Sequence, residues 1–565
     1  MKRIQYILAT AILALTFTSC EDFFSESHDS YYETKNLFVD LPHARLAVDG
    51  IYQVLSNPNH YGQFEMAMAT SDDMYYINGT NSDGNRRDIS HYMVTPTNSW
   101  VETLWTKKYD GIDRANQVIN NIRNMQEYKD GDSEALKYEG EALFLRALLS
   151  YDLVRYWGDV PYRTKEVVSV DDAYIGRTDR EKIYDQIVND LDRAKNQLPW
   201  AKEGSNSERA TQGAARGLLM RVYLQRAGYS LKLNGAYSRP DDAIRQKYFE
   251  AVLEEFAEFG KNGFHKLYPQ GYLQFWKNFS QDIVDPVESI FEVAFYTPDG
   301  KDNGAGTWGT YIGPYNSAKD PKGRANAFFR VLPEWLGYYE ESDGRRDVNI
   351  THQAVFVSTK NNYDQYWCPA KWRREWMGNN PKDPNNTNTN FVYLRYADVL
   401  LMAAEAMNEL NRTDEAVDLL NQVRTRAGAT ALDKGFANFE TLYQRKGKWE
   451  YFTGKENKSY SYNMAQTFLP TGSNQEKFRV ALFWERGFEC CFELTRKYDL
   501  IRWGILEDAI KMHSTSPQKK GYAAGYNEKN PGNKGNFVHG KHELFPIPLS
   551  EISINTKITE NNPGY

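Results

Sequence analysis

Cysteine is scarce in this chain, with four in 565 residues, at positions 20, 368, 490 and 491. They form no CxxC pair and no set of spaced partners, which excludes a disulfide framework or a thiolate zinc site. The adjacent Cys490 and Cys491 read as small apolar residues on a buried helix. Beyond the N-terminus no apolar stretch approaches the eighteen residues or so of a membrane-spanning helix. There is no run of Lys and Arg of the kind that tracks a phosphate backbone, and the formal charge is -7, so nucleic acid is not expected as a partner.

Catalytic and cofactor signatures are equally thin. The nine histidines include no HExxH and no twelve-residue calcium loop is present, while the Asp- and Asn-rich loop from Asn78 to Asp88 leaves a non-standard ion site open. His539 and His542 are spaced as HxxH, but no carboxylate or cysteine partner stands out, so no metal is expected. Gly304-Ala-Gly-Thr-Trp-Gly309 fits GxGxxG. A dinucleotide site needs those glycines to open a helix, and the following Tyr311-Ile-Gly-Pro-Tyr315 breaks one; the segment reads as a loop presenting Trp308, with no cofactor. A glycosidase needs two carboxylates at a set separation, and among 75 Asp and Glu the sequence singles out no pair. The sequence therefore nominates no catalytic constellation.

What the chain has in abundance is aromatic rings: 39 Tyr, 28 Phe and 13 Trp, 14% of all residues, at a mean hydropathy of -0.68. A polar chain with this many amphipathic rings is expected to place some at surfaces. Six of the thirteen tryptophans fall between 276 and 376, a stretch rich in Pro, Gly, Asn and Asp.

The N-terminus reads as an address. Lys2 and Arg3 precede an apolar stretch from Ile7 to Phe17, too short to span a bilayer but suited to a signal peptide. Thr18, Ser19 and Cys20 then resemble a bacterial lipobox, with Phe17 where leucine is usual, and imply lipidation of Cys20. Removing residues 1–19 takes away two basic groups and no acidic ones, leaving a charge of -9. Glu21 and Asp22 resemble the surface-export signal of Bacteroidetes lipoproteins.

From Leu41 the pattern is helical. Trp105, Tyr109, Ile112, Ala115, Val118 and Ile122 recur in steps of three and four. Residues 138–157 are apolar nearly all round, as in a helix buried between neighbours, and end at Gly158 with Pro161 beyond. Further helices are expected after Asp179, from Ala210 to Gly228, over 391–410 and 413–428, and as a last pair over 478–503. Antiparallel pairs with small residues at their contacts look like degenerate tetratricopeptide-type units. Between about 230 and 390 helical periodicity is poor, and Ser289 to Tyr296 is the one strand-like run.

Three segments resemble the SusD/RagB family. These are Leu153-Val-Arg-Tyr-Trp-Gly-Asp-Val-Pro161; Glu485-Arg486 through Glu489, Glu493, Arg496 and Asp499-Leu-Ile-Arg-Trp503; and Phe545-Pro-Ile-Pro548 with the closing Asn562-Pro-Gly-Tyr565. Glu560 stands where such tails often carry another residue. The resemblance implies a mainly α fold, in which degenerate tetratricopeptide-like helix pairs form a scaffold for a long irregular, loop-rich ligand region. It divides the chain into a signal peptide (1–19), an N-terminal helical region (20–230), an aromatic-rich ligand region (231–390) and a C-terminal helical region with tail (391–565). It further implies a lipid-anchored protein on the cell-surface side of the outer membrane, held to the membrane by the anchor alone. Such a protein captures oligosaccharide for a SusC-like TonB-dependent transporter and is a binding protein, not an enzyme. Peptide cargo or a purely assembly role are alternatives, and a surface glycoside hydrolase is a further competitor.

The family motifs read as architectural and do not locate a ligand. Glycan binding calls for flat rings beneath the C–H faces of sugars and for Asn, Asp, Arg or Gln at their hydroxyl edges. Mixed loops of that kind are Asp72 to Asn78, Trp308 to Tyr315 and Tyr363 to Trp376. The candidate ligand-binding residues are Tyr75, Tyr76, Trp308, Tyr311, Tyr315, Trp367 and Trp372. Trp105, Trp157, Trp484 and Trp503 are read as core.

Overall fold

In the computed structural model the residues described are 37–76, 82–167, 169–296, 304–317, 320–351, 367–379, 383–452, 457–466, 468–512 and 536–565. Cys20 and the signal segment lie outside them, as do Ile77, Asn78 and Tyr363 of the expected ligand loops.

The chain is mainly helical, and its helices pair. The principal ones are α1 (Leu41–Leu55), α2 (Arg86–Ser90), α3 (Ser99–Ile122), α4 (Ser133–Trp157), α5 (Arg180–Gln197), α6 (Gln212–Ala227), α7 (Asp242–Asn262), α8 (Tyr396–Glu409), α9 (Thr413–Arg426), α10 (Asn474–Glu489) and α11 (Arg496–Arg502). Successive elements pack as α3 on α4, α4 on α5, α6 on α7 and α8 on α9, and α7 and α10 both lie against α8. Small residues set the approach: a Cβ on Gly111 of α3 would sit 2.5 Å from Leu149 Cδ1 of α4. Every residue of α4 from Tyr138 to Trp157 is buried, as its all-round apolar sequence requires.

Six strands matter here: β1 (Tyr75–Tyr76), β2 (Ser289–Val293), β3 (Phe329–Arg330), β4 (Phe391–Arg395), β5 (Lys446–Phe452) and β6 (Asn457–Asn463). They pair antiparallel as β1 with β3, β2 with β4, and β5 with β6. Two expectations are corrected. Residues 391–395 are a strand rather than the start of a helix, because the Phe-Val-Tyr-Leu run is buried on both faces against β2. The stretch taken as irregular contains the 21-residue α7, whose narrow stripe of Phe249, Val252 and Phe259 is buried.

The C-terminal motif builds a buried ion network. Arg395 pairs with Glu288, Glu489 and Glu493 at 3.0, 2.6 and 2.8 Å; Arg345 reaches Asp343, Glu485 and Glu489; Arg486 bridges Asp398 and Asp499; Arg496 holds Asp72 at 2.8 Å. Burial pushes the Glu489 carboxyl up, yet Arg426, Arg395 and Arg345 together hold it well below the usual carboxylate range. The tail lies across the end of α4: Phe545 donates its N–H to the Tyr156 carbonyl at 2.8 Å, and the Asn562 amide donates to the carbonyls of Trp157 and Phe545. Pro546 and Pro548 suit this extended segment because proline fixes φ there.

Candidate ligand-binding site

The site is built around Arg86. Its loop is locked by carboxylates: Asp88 accepts from the Ser82 hydroxyl and from the Asp83 and Gly84 amides, and Asn85 caps α2 through the Arg86 amide. Gly84 takes φ +69°, a left-handed turn that suits glycine. Asn98 ties this loop to α3. Its side-chain oxygen accepts from the Trp100 and Val101 amides, while its amide donates to the Asn85 carbonyl at 3.0 Å.

Four rings surround the guanidinium: those of Phe328 at 4.7 Å from Cζ, Tyr76 and Tyr311 each at 5.3 Å, and Trp100 at 5.7 Å. Arg86 Nε donates to the Tyr76 phenol at 2.6 Å, and Nη1 to the Tyr311 phenol at 3.4 Å. Trp100 stacks on Phe64 at 3.8 Å and 6° between planes, and Tyr311 meets Phe328 edge-on at 4.8 Å. Phe64, Arg86, Tyr311 and Phe328 are each half-buried, so the cluster has an open side. Among the described residues no carboxylate forms an ion pair with Arg86. Two of its five N–H groups are engaged by phenols, which leaves donors for a ligand. Burial raises the Tyr76 phenol pKa, opposed by Arg86, so the phenol stays protonated.

Of the candidates, Tyr76 and Tyr311 are brought together here, across the β1–β3 pair and the 305–316 loop. Tyr315 is half-buried further along that loop. Tyr76 is itself only 4% exposed and meets the cluster through its phenol, and the remaining candidates do not present open ring faces. Trp308 is completely buried, stacked on Phe391 at 4.6 Å and against Trp372 at 4.5 Å, with its Nε1 donating to the Tyr61 carbonyl at 3.0 Å. Trp372 is equally buried, between Trp276 and Trp308; Trp367 packs against Trp449 and Tyr460; and Tyr75 is buried on β1, paired alongside Arg330 of β3. The expectation that a loop tryptophan faces solvent fails for these because the loop itself is pinned. Thr307 donates its N–H and hydroxyl to the Gly62 carbonyl, both at 2.9 Å, which draws Trp308 into the core. Asp72, expected at a sugar edge, is instead the buried partner of Arg496, and Asp73 accepts the Phe492 amide, its carboxyl pushed up to about 6 by burial and by Asp72. Trp105, Trp157 and Trp484 are buried as read, and Trp503 is half-buried with its Nε1 on Glu405.

Sequence reasoning missed Arg86, Trp100, Phe64 and Phe328. Trp100 carried one signal, an aromatic residue two positions after an N-capping asparagine at the end of a polar loop. Nothing in the sequence alone joins Phe328 to Arg86, 242 positions earlier.

His60, Glu65 and Asp152 bring ligating atoms within 4.8 Å of one another in the core. The Lys108 ammonium occupies their midst, at 2.6 Å from Glu65, 2.8 Å from Asp152 and 3.0 Å from His60, so the cluster is a buried ion pair network. Among the described residues no helix is long and apolar enough to cross a membrane.

Comparison with known proteins brings two family matches. Residues 352–565 match the SusD family, and residues 22–224 match a family described as starch-binding and associating with the outer membrane. A SusD-like protein of Formosa agariphila is 25% identical along the full length of both chains, and one of Bacteroides ovatus is 24% identical across 74% of this chain and 76% of its own. Among solved structures, a SusD homologue of Bacteroides thetaiotaomicron superposes with a TM-score of 0.73 at 26% identity, covering 95% of this chain and 99% of its own. Surface glycan-binding protein A of the same organism, solved with laminarihexaose, superposes with a TM-score of 0.67 at 21% identity, covering 92% of this chain and 99% of its own.

Proposed function

Since the chain belongs to the SusD family, we propose that it is a surface glycan-binding protein of the outer membrane, which captures oligosaccharide on the Arg86 cluster. Lipidation at Cys20 anchors it, and a SusC-like TonB-dependent transporter receives the cargo. The observation that carries this reading is the partial exposure of Arg86, Tyr311 and Phe328 in a ring cluster whose guanidinium has no carboxylate partner among the described residues. Half-buried Phe64, Tyr311 and Phe328 offer apolar area to the C–H faces of a sugar at little entropic cost. Arg86 and the two phenols supply donors and acceptors for hydroxyls. The surrounding hydrogen bonds preorganise these groups, so binding need not order them first.

In this account the protein breaks no bond. Capture is reversible, and hand-over follows when the transporter competes for the bound chain. A crystal structure of the chain from Glu21 onward, soaked with linear neutral oligosaccharides, tests the location. Density for a sugar ring within van der Waals distance of Tyr311 or Phe328 is expected; ligand density elsewhere, with this cluster bare, would contradict it.

A further inference from the structure

Away from the Arg86 cluster, a hollow of about 190 Å³ opens beside β2, lined by Glu208, Asp282, Tyr296 and Asn388 among others. Tyr296 is 66% exposed, Ile283 47% and Val284 39%. Three of the eleven large hydrophobic side chains that the described residues leave exposed therefore meet at one concavity. Scattered single exposures need no explanation, whereas a cluster at a hollow marks a binding surface.

The polar lining is of one kind. Glu208, Asp282 and Glu292 are carboxylates, Asn388 and Asn390 are carboxamides, and among the described residues no Lys or Arg lines the hollow. Part of this equipment is fixed in place. Asn390 donates to Glu208 and Glu292, both at 2.9 Å, and its side-chain oxygen accepts the Phe295 amide at 3.1 Å; Ser207 donates to Glu292 at 2.7 Å. A carboxylate has about four lone-pair sites, so Glu208 and Asp282 at the rim retain acceptor capacity. Asp282 holds a left-handed backbone at φ +55°, a conformation Asp tolerates better than most residues.

We propose that this hollow is a second sugar subsite, separate from the Arg86 cluster, which takes an uncharged ring: Tyr296 stacks on its C–H face and Glu208, Asp282 and Asn388 accept from its hydroxyls. This rests on the glycan-binding reading above and extends it to specificity. Uronate and sulfate groups meet carboxylates with no countercharge in the described lining, so this subsite disfavours acidic glycans.

The two sites are separated by isothermal titration of the chain from Glu21 onward with a panel of neutral oligosaccharides and with sulfated counterparts. The proteins are the wild type, Tyr296→Ala, Tyr311→Ala and the double variant. Tyr296 is exposed, so its removal leaves the thermal midpoint unchanged, which scanning calorimetry checks. The expected result is binding to neutral oligosaccharide that persists in Tyr311→Ala, falls at least tenfold further in the double variant, and is not competed by sulfated glycan in Tyr311→Ala. Binding that survives Tyr311→Ala and is lost on Tyr296→Ala alone would support this subsite while overturning the Arg86 reading. An isotherm for Tyr296→Ala identical to the wild type, complete loss in Tyr311→Ala, or no binding by the wild type overturns the second subsite.

Discussion

An indole in a loop satisfies its ring either by stacking on a ligand or by packing into the core, and hydrogen bonds of the loop backbone decide which. Trp308 takes the second course because Thr307 is tied to Gly62 and the indole N–H reaches the Tyr61 carbonyl. Trp308→Ala is therefore expected to cost about 3–5 kcal/mol of stability, measured by denaturant unfolding. Tyr311→Ala, at a half-buried ring, costs much less stability and acts on ligand affinity instead. The sequence offered Tyr76 and Tyr311 as ligand-binding candidates alongside Trp308 and Trp372, with nothing to tell the first pair from the buried indoles. All four are aromatic residues in stretches with poor helical periodicity, and the difference lies in contacts made across tens to hundreds of positions. A second residue, Lys497, sits fully buried over Phe545 at 4.5 Å, its ammonium pushed down to about 7 by burial, with Glu543 opposing the shift. Between that value and the ordinary 10.5 the unfolded chain binds the extra proton, so this residue makes stability rise with pH across that window. Lys497→Met is expected to stabilise the fold by on the order of 2–4 kcal/mol at pH 7 and below, with the gain shrinking toward pH 10. Unfolding midpoints recorded from pH 6 to 9 check this, and a gain independent of pH would sink it.

Elements with a sustained period were legible and short ones were not. The 3.6-residue repeat of α3 and the all-round apolar run of α4 reach the structure nearly unchanged, since burial and period are the same fact seen twice. Two-residue strands such as β1 and β3 carry no period at all, and the β5–β6 pair alternates polar and aromatic residues only over short runs such as Ser459-Tyr-Ser-Tyr462, too brief to stand out in a polar stretch. Helix α7 escaped notice because its buried stripe is narrow and its surroundings are rich in Pro and Asn. At this scale Asn98 joins stability to binding, as it caps α3 while holding the Arg86 loop. Asn98→Ala should lower stability by about 1 kcal/mol and also weaken glycan binding; a loss of stability alone would separate the cap from the site. In the C-terminal network, Arg395→Met strands Glu288, Glu489 and Glu493 without their shared cation. Breaking one side of such a buried group costs roughly 3–5 kcal/mol, to be read from the urea midpoint.

For the whole molecule, helix pairs, ion network and cross-lying tail form one scaffold, and the loops between residues 60 and 100 and between 305 and 330 meet on it as the Arg86 cluster. The three motifs that identified the family, at residues 153–161, 485–503 and 545–565, all proved to be parts of that scaffold, which is why they named the fold without finding the ligand. The most direct test of the central claim is isothermal titration of the chain from Glu21 onward with neutral oligosaccharides, comparing the wild type, Arg86→Ala and Tyr311→Ala under identical conditions. Micromolar to millimolar binding that weakens at least tenfold in both variants, with thermal midpoints little changed, is the predicted result. Binding that is unaffected by either substitution, or absent from the wild type across the panel, would contradict the assignment of this cluster as the capture site.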